Sequence, residues 1–346
     1  MTPDERWMGA AVALGERGRG NSAPNPNVGC VIVKDEVVVG RGWTQPGGRP
    51  HAEAMALAEA GEAALGATLY ATLEPCRHRS ERGPACADLV AEAGVARVVA
   101  ALEDPDGRTA SGGFGRLRAA GVDVETGPGA EGAARSMAGF LTRVRLGRPF
   151  ITLKLAMSLD GKIALPSGES RWITGEDARA HVHLERARSD MILVGRGTYE
   201  RDRPKLDVRL PGLEERSPRR ALLTRGDAVD GWARLGAPEE VFELGDVNDL
   251  LIEGGSATAS AFLAADLVDR MLIYRAPILI GDGKSSVGYI GLTDLADAHR
   301  RWTLADSCML GIDRLEVYER SFDTPVRLRS PATQDERKRL EPHRSS

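Results

Sequence analysis

The apolar positions of this chain fall into two successive α/β patterns. Residues 4–18 carry apolar side chains at helical spacing and read as a first amphipathic helix. Val28-Gly29-Cys30-Val31-Ile32-Val33, the polar Lys34-Asp35-Glu36 and the apolar run from Val37 to Trp43 read as a β-hairpin. A helix from His51 through Ala60, a buried strand at 67–73, a helix opening at Pro75 and a strand at 96–102 follow. Residues 113–120 read as a helix and 122–124 as a short edge strand. This alternation predicts a three-layer α/β unit ending near Arg145, with Gly147-Arg148-Pro149 punctuating the join.

A second pattern begins there. Buried strands are expected at 150–155, 191–195, 220–224, 250–253 and 270–280, with helices at 178–188 and 258–267. No internal repeat links the halves. From Ser321 onward the chain is polar, rich in proline and mixed charge, and reads as a disordered tail. A length of 346 residues suits two domains, placed at 1–146 and 149–320 with the tail at 321–346.

Charge and cysteine usage narrow the classes. A formal net charge of −4 provides no basic field for non-specific nucleic-acid binding. The opening Met1-Thr2-Pro3-Asp4-Glu5 lacks a secretory pattern, and no apolar run has transmembrane length. Cys30 and Cys308 stand far apart, so disulfides are not expected and a reducing cytoplasm fits the composition.

The chemistry-bearing residues sit in the first half. His51-Ala52-Glu53 precedes Leu73-Glu74-Pro75-Cys76 and Cys86. One imidazole and two thiolates suit zinc, and three protein ligands leave a position open for water. Glu53, two residues beyond the histidine, is placed to move protons, as the glutamate of zinc deaminases does. Cys86 stands ten residues after Cys76, too far for both to share one helical turn. Proline favours a first helical turn, so Cys76 is expected near a helix N-terminus, where a thiolate is stabilised. The rival is a closed structural zinc site, with His78 as the nearby fourth ligand. In the second half, Leu251-Ile252-Glu253-Gly254-Gly255-Ser256-Ala257 is a strand running into small residues and a helix start, a shape that admits a phosphate. It is not a G-x-G-x-x-G fingerprint, which disfavours a Rossmann domain. Gly195-Arg196-Gly197-Thr198 could approach the same ligand.

Taken together, Pro24-Asn25-Pro26-Asn27-Val28-Gly29, His51-Ala52-Glu53, Leu73-Glu74-Pro75-Cys76, Leu153-Lys154-Leu155-Ala156-Met157-Ser158-Leu159-Asp160-Gly161-Lys162, Ser167-Gly168-Glu169-Ser170-Arg171-Trp172-Ile173-Thr174 and Glu253-Gly254-Gly255 resemble the bifunctional riboflavin-biosynthesis deaminase/reductases. The resemblance covers residues 5–318 and keeps the family's order of motifs. It implies an N-terminal cytidine-deaminase-like α/β/α domain that hydrolytically deaminates a diaminopyrimidinone ribosylamino phosphate. It implies a C-terminal dihydrofolate-reductase-like α/β domain that uses NADPH to reduce the ribosyl group to ribityl. By position, His51, Cys76 and Cys86 match zinc ligands, Glu53 the proton shuttle and Asn25 a substrate contact. In the reductase, Ala156, Trp172, Thr198, Asp202 and the run Gly255, Ser256, Ala257, Thr258, Ala259, Ser260 and Ala261 match cofactor contacts. Lys154, Ser170, Arg186, Leu206, Arg209 and Glu253 match substrate contacts. Homo-oligomerisation is a further family-level implication.

The residue types support these roles. Arg186 and Arg209 suit a phosphate clamp, Glu253 suits ribose hydroxyls, and Lys154 suits proton donation or carbonyl polarisation. Arg196 and Arg225 are candidates for reading the 2′-phosphate that separates NADPH from NADH. Three departures from the family pattern are visible. The loop 77–85 is one residue longer and lacks a Gly-Lys-Thr-Pro-Pro run, with Arg82 as its replacement cation. Asp202-Arg203-Pro204-Lys205-Leu206-Asp207-Val208-Arg209 stands for Asp-Asp-Pro-x-Leu-Thr-Val-Arg, and the stretch 210–252 is short. A nucleic-acid or free-base deaminase would want a close C-x-x-C pair and a basic, aromatic surface, neither of which is present. A non-catalytic protein with a relic zinc site is disfavoured by the intact Glu53.

Overall fold

The computed structural model describes residues 1–79, 83–106 and 112–320, so the tail expected at 321–346 and the cation expected at Arg82 lie outside the described residues. The first half opens with α1 (Pro3–Gly15), whose Thr2 and Glu5 cap each other reciprocally. There follow β1 (Gly29–Lys34), β2 (Val37–Trp43), α2 (Ala52–Ala60), β3 (Thr68–Ala71), α3 (Cys86–Glu92), β4 (Arg97–Ala100), α4 (Gly112–Ala119), β5 (Asp123–Thr126), α5 (Ala130–Ser136) and α6 (Ala138–Leu146). The strands form one sheet in the order β2-β1-β3-β4-β5, antiparallel around β1 and parallel from β3 to β5. One apolar core, from Met8 to Leu141, fills both faces of it.

The second half contains β6 (Phe150–Met157), β7 (Lys162–Ala164), α7 (Glu176–Ala187), β8 (Met191–Gly195), α8 (Arg196–Asp202), β9 (Arg219–Leu223) and β10 (Ala233–Leu235). It continues with β11 (Asp249–Ile252), α9 (Ser256–Ala264), β12 (Arg270–Arg275), β13 (Lys284–Ser285), β14 (Trp302–Leu310) and β15 (Asp313–Arg320). Eight strands make a sheet ordered β10-β9-β8-β11-β6-β12-β15-β14, parallel from β10 through β12. Strands β8 and β11 are buried throughout, which explains their unbroken apolar runs. A separate core, from Ile151 to Val268, packs against this sheet.

Two expectations need correction, and two further features were not expected at all. No helix starts at Pro75: the Glu74 N–H donates to the Leu102 carbonyl at 2.9 Å, and its carboxylate accepts from Gly113 and Phe114 at 2.8 and 3.1 Å. Those bonds hold 74–76 out of helix, and α3 begins only at Cys86. The strand expected at 270–280 ends at Arg275, because Pro277 has no N–H to donate to a ladder. The hairpin β14–β15 was not read from sequence, since β14 is exposed along its interior and carries no core-to-solvent alternation. The small-residue helices α5 and α6 likewise lack an apolar stripe strong enough to announce them.

The two sheets meet across a polar seam. The Arg19 guanidinium donates to Asp249 at 3.0 Å, and both side chains are almost wholly buried. Arg143 donates to Asn248 Oδ1 at 2.8 Å, and Asn248 Nδ2 donates to the Asn25 carbonyl at 3.0 Å. Deleting one member of a buried ion pair strands the other charge, at a cost of about 3–5 kcal/mol. Arg19→Met is expected to lose stability of that order in urea unfolding followed by tryptophan fluorescence; a loss below about 1 kcal/mol would show that Asp249 finds other solvation.

Candidate functional site

In the first half, three segments bring donors to one point. His51 is the N-cap of α2, with an extended backbone (φ −73, ψ 162) and no capping hydrogen bond from its side chain. Its Nδ1 lies 3.3 Å from Cys86 Sγ and 3.5 Å from Cys76 Sγ. The ligand atoms of His51, Cys76 and Cys86 all lie within 4.8 Å of one another, and no fourth ligand residue joins the group among the described residues. His78 is exposed and lies outside it, which removes the closed structural-zinc alternative. Helix α2 reaches this position because it rests on bare backbone. A Cβ at Gly42 would stand 2.1 Å from the Ala52 carbonyl oxygen, and one at Gly40 2.2 Å from that of Ala56.

Electrostatics at the cluster favour metal. The hydrogen bond from Cys86, with help from His51 and the Cys86 backbone N–H, pulls the Cys76 thiol well below its ordinary range. The same contact, together with burial, pushes Cys86 up. Burial pulls His51 down, but contact with Cys76 and the charge of Glu53 outweigh it and raise its pKa. Two sulfur donors and an imidazole packed this tightly fit a divalent, thiophilic cation that ionises both thiols. Glu53, on the first turn of α2, is only 3% exposed. Burial raises its carboxyl to about 6, with His51 opposing and Cys76 adding to the rise.

Asn25 lies beside the cluster. Its amide packs on Gly48, where a Cβ would fall 1.6 Å from Asn25 Nδ2. The 3₁₀ turn Pro46–Gly48 then leads through Arg49 and Pro50 to His51.

In the second half, a cleft of about 280 Å³ opens at the carboxyl ends of the parallel strands. Lys154 and Ala156 on β6 line it, as do Thr198 and Asp202 on α8. So do Ser170, Trp172, Glu253 and Gly255. The chain leaves β8 toward β9 on one side and leaves β11 toward β12 on the other. The crevice between β8 and β11 is therefore a topological switch point, the usual ligand position in open α/β sheets. Close approach there depends on glycine: a Cβ at Gly195 would stand 2.2 Å from Thr258 Oγ1.

The remaining expected residues divide by placement. Ser256 and Ala257 form the first turn of α9, just after the cleft-lining Gly255, whereas Thr258, Ala259 and Ser260 are buried and Ala261 is partly so. Ala259 belongs to the apolar core, and Ser260 Oγ accepts from the Gly288 N–H at 2.8 Å. Trp172 is 67% exposed, which excludes a core role, and the Arg179 guanidinium stacks 4.7 Å from its ring centre.

Arg186 is paired rather than free. It forks onto Glu253 with bonds of 2.6 and 2.9 Å and donates to the Asp207 carbonyl at 3.0 Å. That grip, with His183 on the same carbonyl, holds Leu206 buried with φ of 57°. The Arg209 side chain is largely exposed, and among the described residues its guanidinium has only a 3.7 Å contact to Asp207. Lys154 Nζ lies 3.9 Å from Glu253 Oε2. Burial pushes the Lys154 pKa down, with Glu253 opposing and Arg186 adding to the fall. Burial also works to raise Glu253, but Arg186 and Lys154 outweigh it and hold the carboxylate ionised. Arg171, Arg179, Arg201 and Lys284 also line the cleft, though nothing in their local sequence distinguishes them from surface cations.

Comparison with known proteins agrees with both halves. The profile of the cytidine and deoxycytidylate deaminase zinc-binding region matches residues 1–102, and that of the RibD C-terminal domain matches 149–314. The riboflavin biosynthesis protein RibD of Escherichia coli K12 is 41% identical, over 85% of this chain and 94% of the relative. That of Mycobacterium tuberculosis H37Rv is 40% identical over 89% and 95%. Acinetobacter baumannii RibD superposes with a TM-score of 0.83 at 36% identity, covering 92% of this chain and 99% of that one. The Thermotoga maritima deaminase/reductase gives 0.82 at 30% identity over the same shares. With a zinc-binding deaminase region, an NADPH-using reductase domain and full-length relatives at this identity, the chain belongs to the RibD family of bifunctional riboflavin-biosynthesis deaminase/reductases.

Proposed function

We propose that the first half hydrolyses the exocyclic amine of 2,5-diamino-6-(5-phosphoribosylamino)pyrimidin-4(3H)-one, releasing ammonia. The second half then reduces the ribosyl group of the product to ribityl. The substrate assignment is supported by the Thermotoga relative, described as a diaminohydroxyphosphoribosylaminopyrimidine deaminase and 5-amino-6-(5-phosphoribosylamino)uracil reductase. The observation that carries the reading is the meeting of His51, Cys76 and Cys86 within 4.8 Å, with buried Glu53 beside them. Residues 1–146 form the deaminase unit and 149–320 the reductase unit in this reading. A cytoplasmic location is supported by cysteines that are free among the described residues, and no described helix is long and apolar enough to cross a membrane.

His51, Cys76 and Cys86 hold the zinc, which supplies Lewis acidity and brings the pKa of water toward neutrality. Glu53 does the proton work. Its carboxylate takes a proton from the attacking water and delivers it to the ring nitrogen, then takes the remaining hydroxyl proton of the tetrahedral adduct and delivers it to the amine, which leaves as ammonia as the carbonyl forms. A pKa near 6 suits a group that must both take and give a proton near neutral pH. Asn25 holds the pyrimidine edge through its amide.

In the reductase, NADPH supplies the hydride equivalent. The N–H groups at the start of α9, next to the cleft-lining Gly255, would hold its pyrophosphate, and Trp172 would offer a flat apolar shelf at the cleft rim. Glu253, held ionised by Arg186 and Lys154, accepts from ribose hydroxyls, and Lys154 donates the proton that accompanies hydride addition. Arg209 binds the substrate phosphate, since Arg186 is engaged by Glu253. Arg196 is likewise engaged, by Thr224 Oγ1 at 3.2 Å and by the Asp227 carbonyl. Arg225, exposed on the loop after β9, is the reader of the cofactor 2′-phosphate.

Three outcomes test this. Glu53→Gln retains stoichiometric zinc but loses ammonia release by roughly 10²–10⁴-fold, the usual worth of a positioned proton carrier; retained deamination would remove Glu53 from the reaction. Chelation abolishes ammonia release yet leaves NADPH oxidation intact when deaminated intermediate is supplied, so loss of both activities would contradict a metal confined to the first half. Arg225→Gln raises KM for NADPH by roughly 10- to 100-fold and leaves KM for NADH unchanged, as expected for loss of one charged hydrogen bond. An equal change for both cofactors would count against the assignment.

A further inference from the structure

The substrate of the deaminase reading carries a phosphate at the far end of its ribose; the cation expected to meet it, Arg82, lies outside the described residues, and none of the described residues assigned so far meets it. Three of the arginines around the zinc donors have other contacts. Arg79 pairs with Asp88 at 2.9 Å and Arg116 with the same carboxylate at 3.0 Å. The Arg77 side chain runs over Gly112, where a Cβ would stand 2.2 Å from its Cδ. Arg49 differs from these. It is half-buried, and among the described residues it has neither a hydrogen-bond nor an ion-pair partner.

Its placement is specific. Arg49 lies two residues before His51, on a loop closed by the Gln45 N–H donating to the Pro50 carbonyl at 3.0 Å. The same loop is tied to Asn21 through the Gly47 N–H at 2.9 Å. Its guanidinium reaches across to the segment leading into Cys86, where a Cβ at Gly83 would stand 2.9 Å from Nη1. It therefore bridges the backbones that carry two of the three metal donors. Asn25 packs on Gly48 at the other side of the same turn. A ligand whose ring meets the Asn25 amide and whose reacting carbon faces His51 and Glu53 has this guanidinium at the mouth of the site. An unpaired, partly desolvated guanidinium is a strong site for a phosphate dianion, because its planar fork donates two parallel charge-assisted bonds.

Resting on the deaminase reading above, we infer that Arg49 is a substrate-binding residue of the first active site and clamps the substrate's phosphate. Arg49 thereby selects the phosphorylated ribosylaminopyrimidine over its dephosphorylated counterpart. It contributes binding at a part of the substrate that does not react, so its removal acts on KM more than on kcat.

The test measures ammonia release by the full-length, zinc-loaded enzyme on the phosphorylated substrate and on the same compound without its phosphate. Arg49→Gln and Arg49→Lys are compared with wild type. Zinc content and NADPH-dependent reduction of supplied deaminated intermediate serve as internal controls of folding. Loss of one charged contact is expected to raise KM for the phosphorylated substrate roughly 10- to 100-fold in Arg49→Gln, with kcat and zinc content nearly unchanged. Arg49→Lys should recover part of that loss, and neither variant should change the rate on the dephosphorylated compound. An unchanged KM in Arg49→Gln, or an equal loss on both compounds, overturns the assignment while leaving the deaminase in place. Absence of ammonia release from wild type on the phosphorylated substrate would overturn the deaminase reading itself.

Discussion

The first active site depends on how closely one helix can lie on a hairpin. His51 and Glu53 open α2, and α2 sits where it does because Gly40 and Gly42 present no side chain to the carbonyls of Ala56 and Ala52. Any Cβ there would lift the helix by more than the tolerance of a metal site, whose ligand distances hold to within about 0.2 Å. The alanines of α2 serve the same end from the helix side. Close packing of small residues, rather than a polar network, sets the distance from imidazole to thiols. The thiols come from elsewhere: Cys76 from the segment after β3 and Cys86 from the start of α3, with Glu74 anchoring the approach to Cys76 to α4.

The second site is organised by charge inside a low-dielectric cleft. Glu253, Arg186 and Lys154 are mutually dependent. The carboxylate stays ionised against burial because two cations face it, and burial pulls the Lys154 pKa down, with Glu253 opposing and Arg186 adding to the fall. Removing Arg186 would leave Glu253 without its bidentate partner and would also free the Asp207 carbonyl that shapes the Leu206 turn. Its part in substrate recognition is thus exerted through Glu253 and the 206–209 segment. The cofactor side of the cleft rests on a different device, the switch point between β8 and β11, where missing side chains and helix-start N–H groups admit a phosphate.

The two catalytic halves share a seam made of ions and amides. Asn248, next to β11, donates to the carbonyl of Asn25, the residue proposed to hold the pyrimidine in the first site. Arg19 and Asp249 pair behind it, almost fully out of water. Such contacts are directional and cost desolvation, so they favour one relative placement of the halves more than they add stability. The seam also carries Asp190, whose carboxyl is raised by burial and by its neighbour Asp249 to about 6.

How much of this was legible in the chain depends on the range of the interaction involved. His51-x-Glu53, the Glu-Pro-Cys turn and the second cysteine announced a zinc site because metal ligation restricts residue type and order. The buried strands β8 and β11 announced themselves because burial on both faces demands apolar runs, and β6 did so despite Lys154, which it turns into the cleft. By itself the sequence therefore determined the two α/β halves, their order and the donor set. The tertiary structure decided which charges are free. Arg186 reads as a phosphate clamp until Glu253, 67 residues away, closes on it. Nothing in the local sequence singles out Arg49; the segment before Cys86 folds against it, and among the described residues it has no ion-pair partner. Likewise the helix expected at Pro75 yields to the hydrogen bonds that Glu74 donates to Leu102 and accepts from α4. Local pattern encodes burial and residue chemistry, whereas the partner of a long, flexible charged side chain is chosen only when distant segments meet.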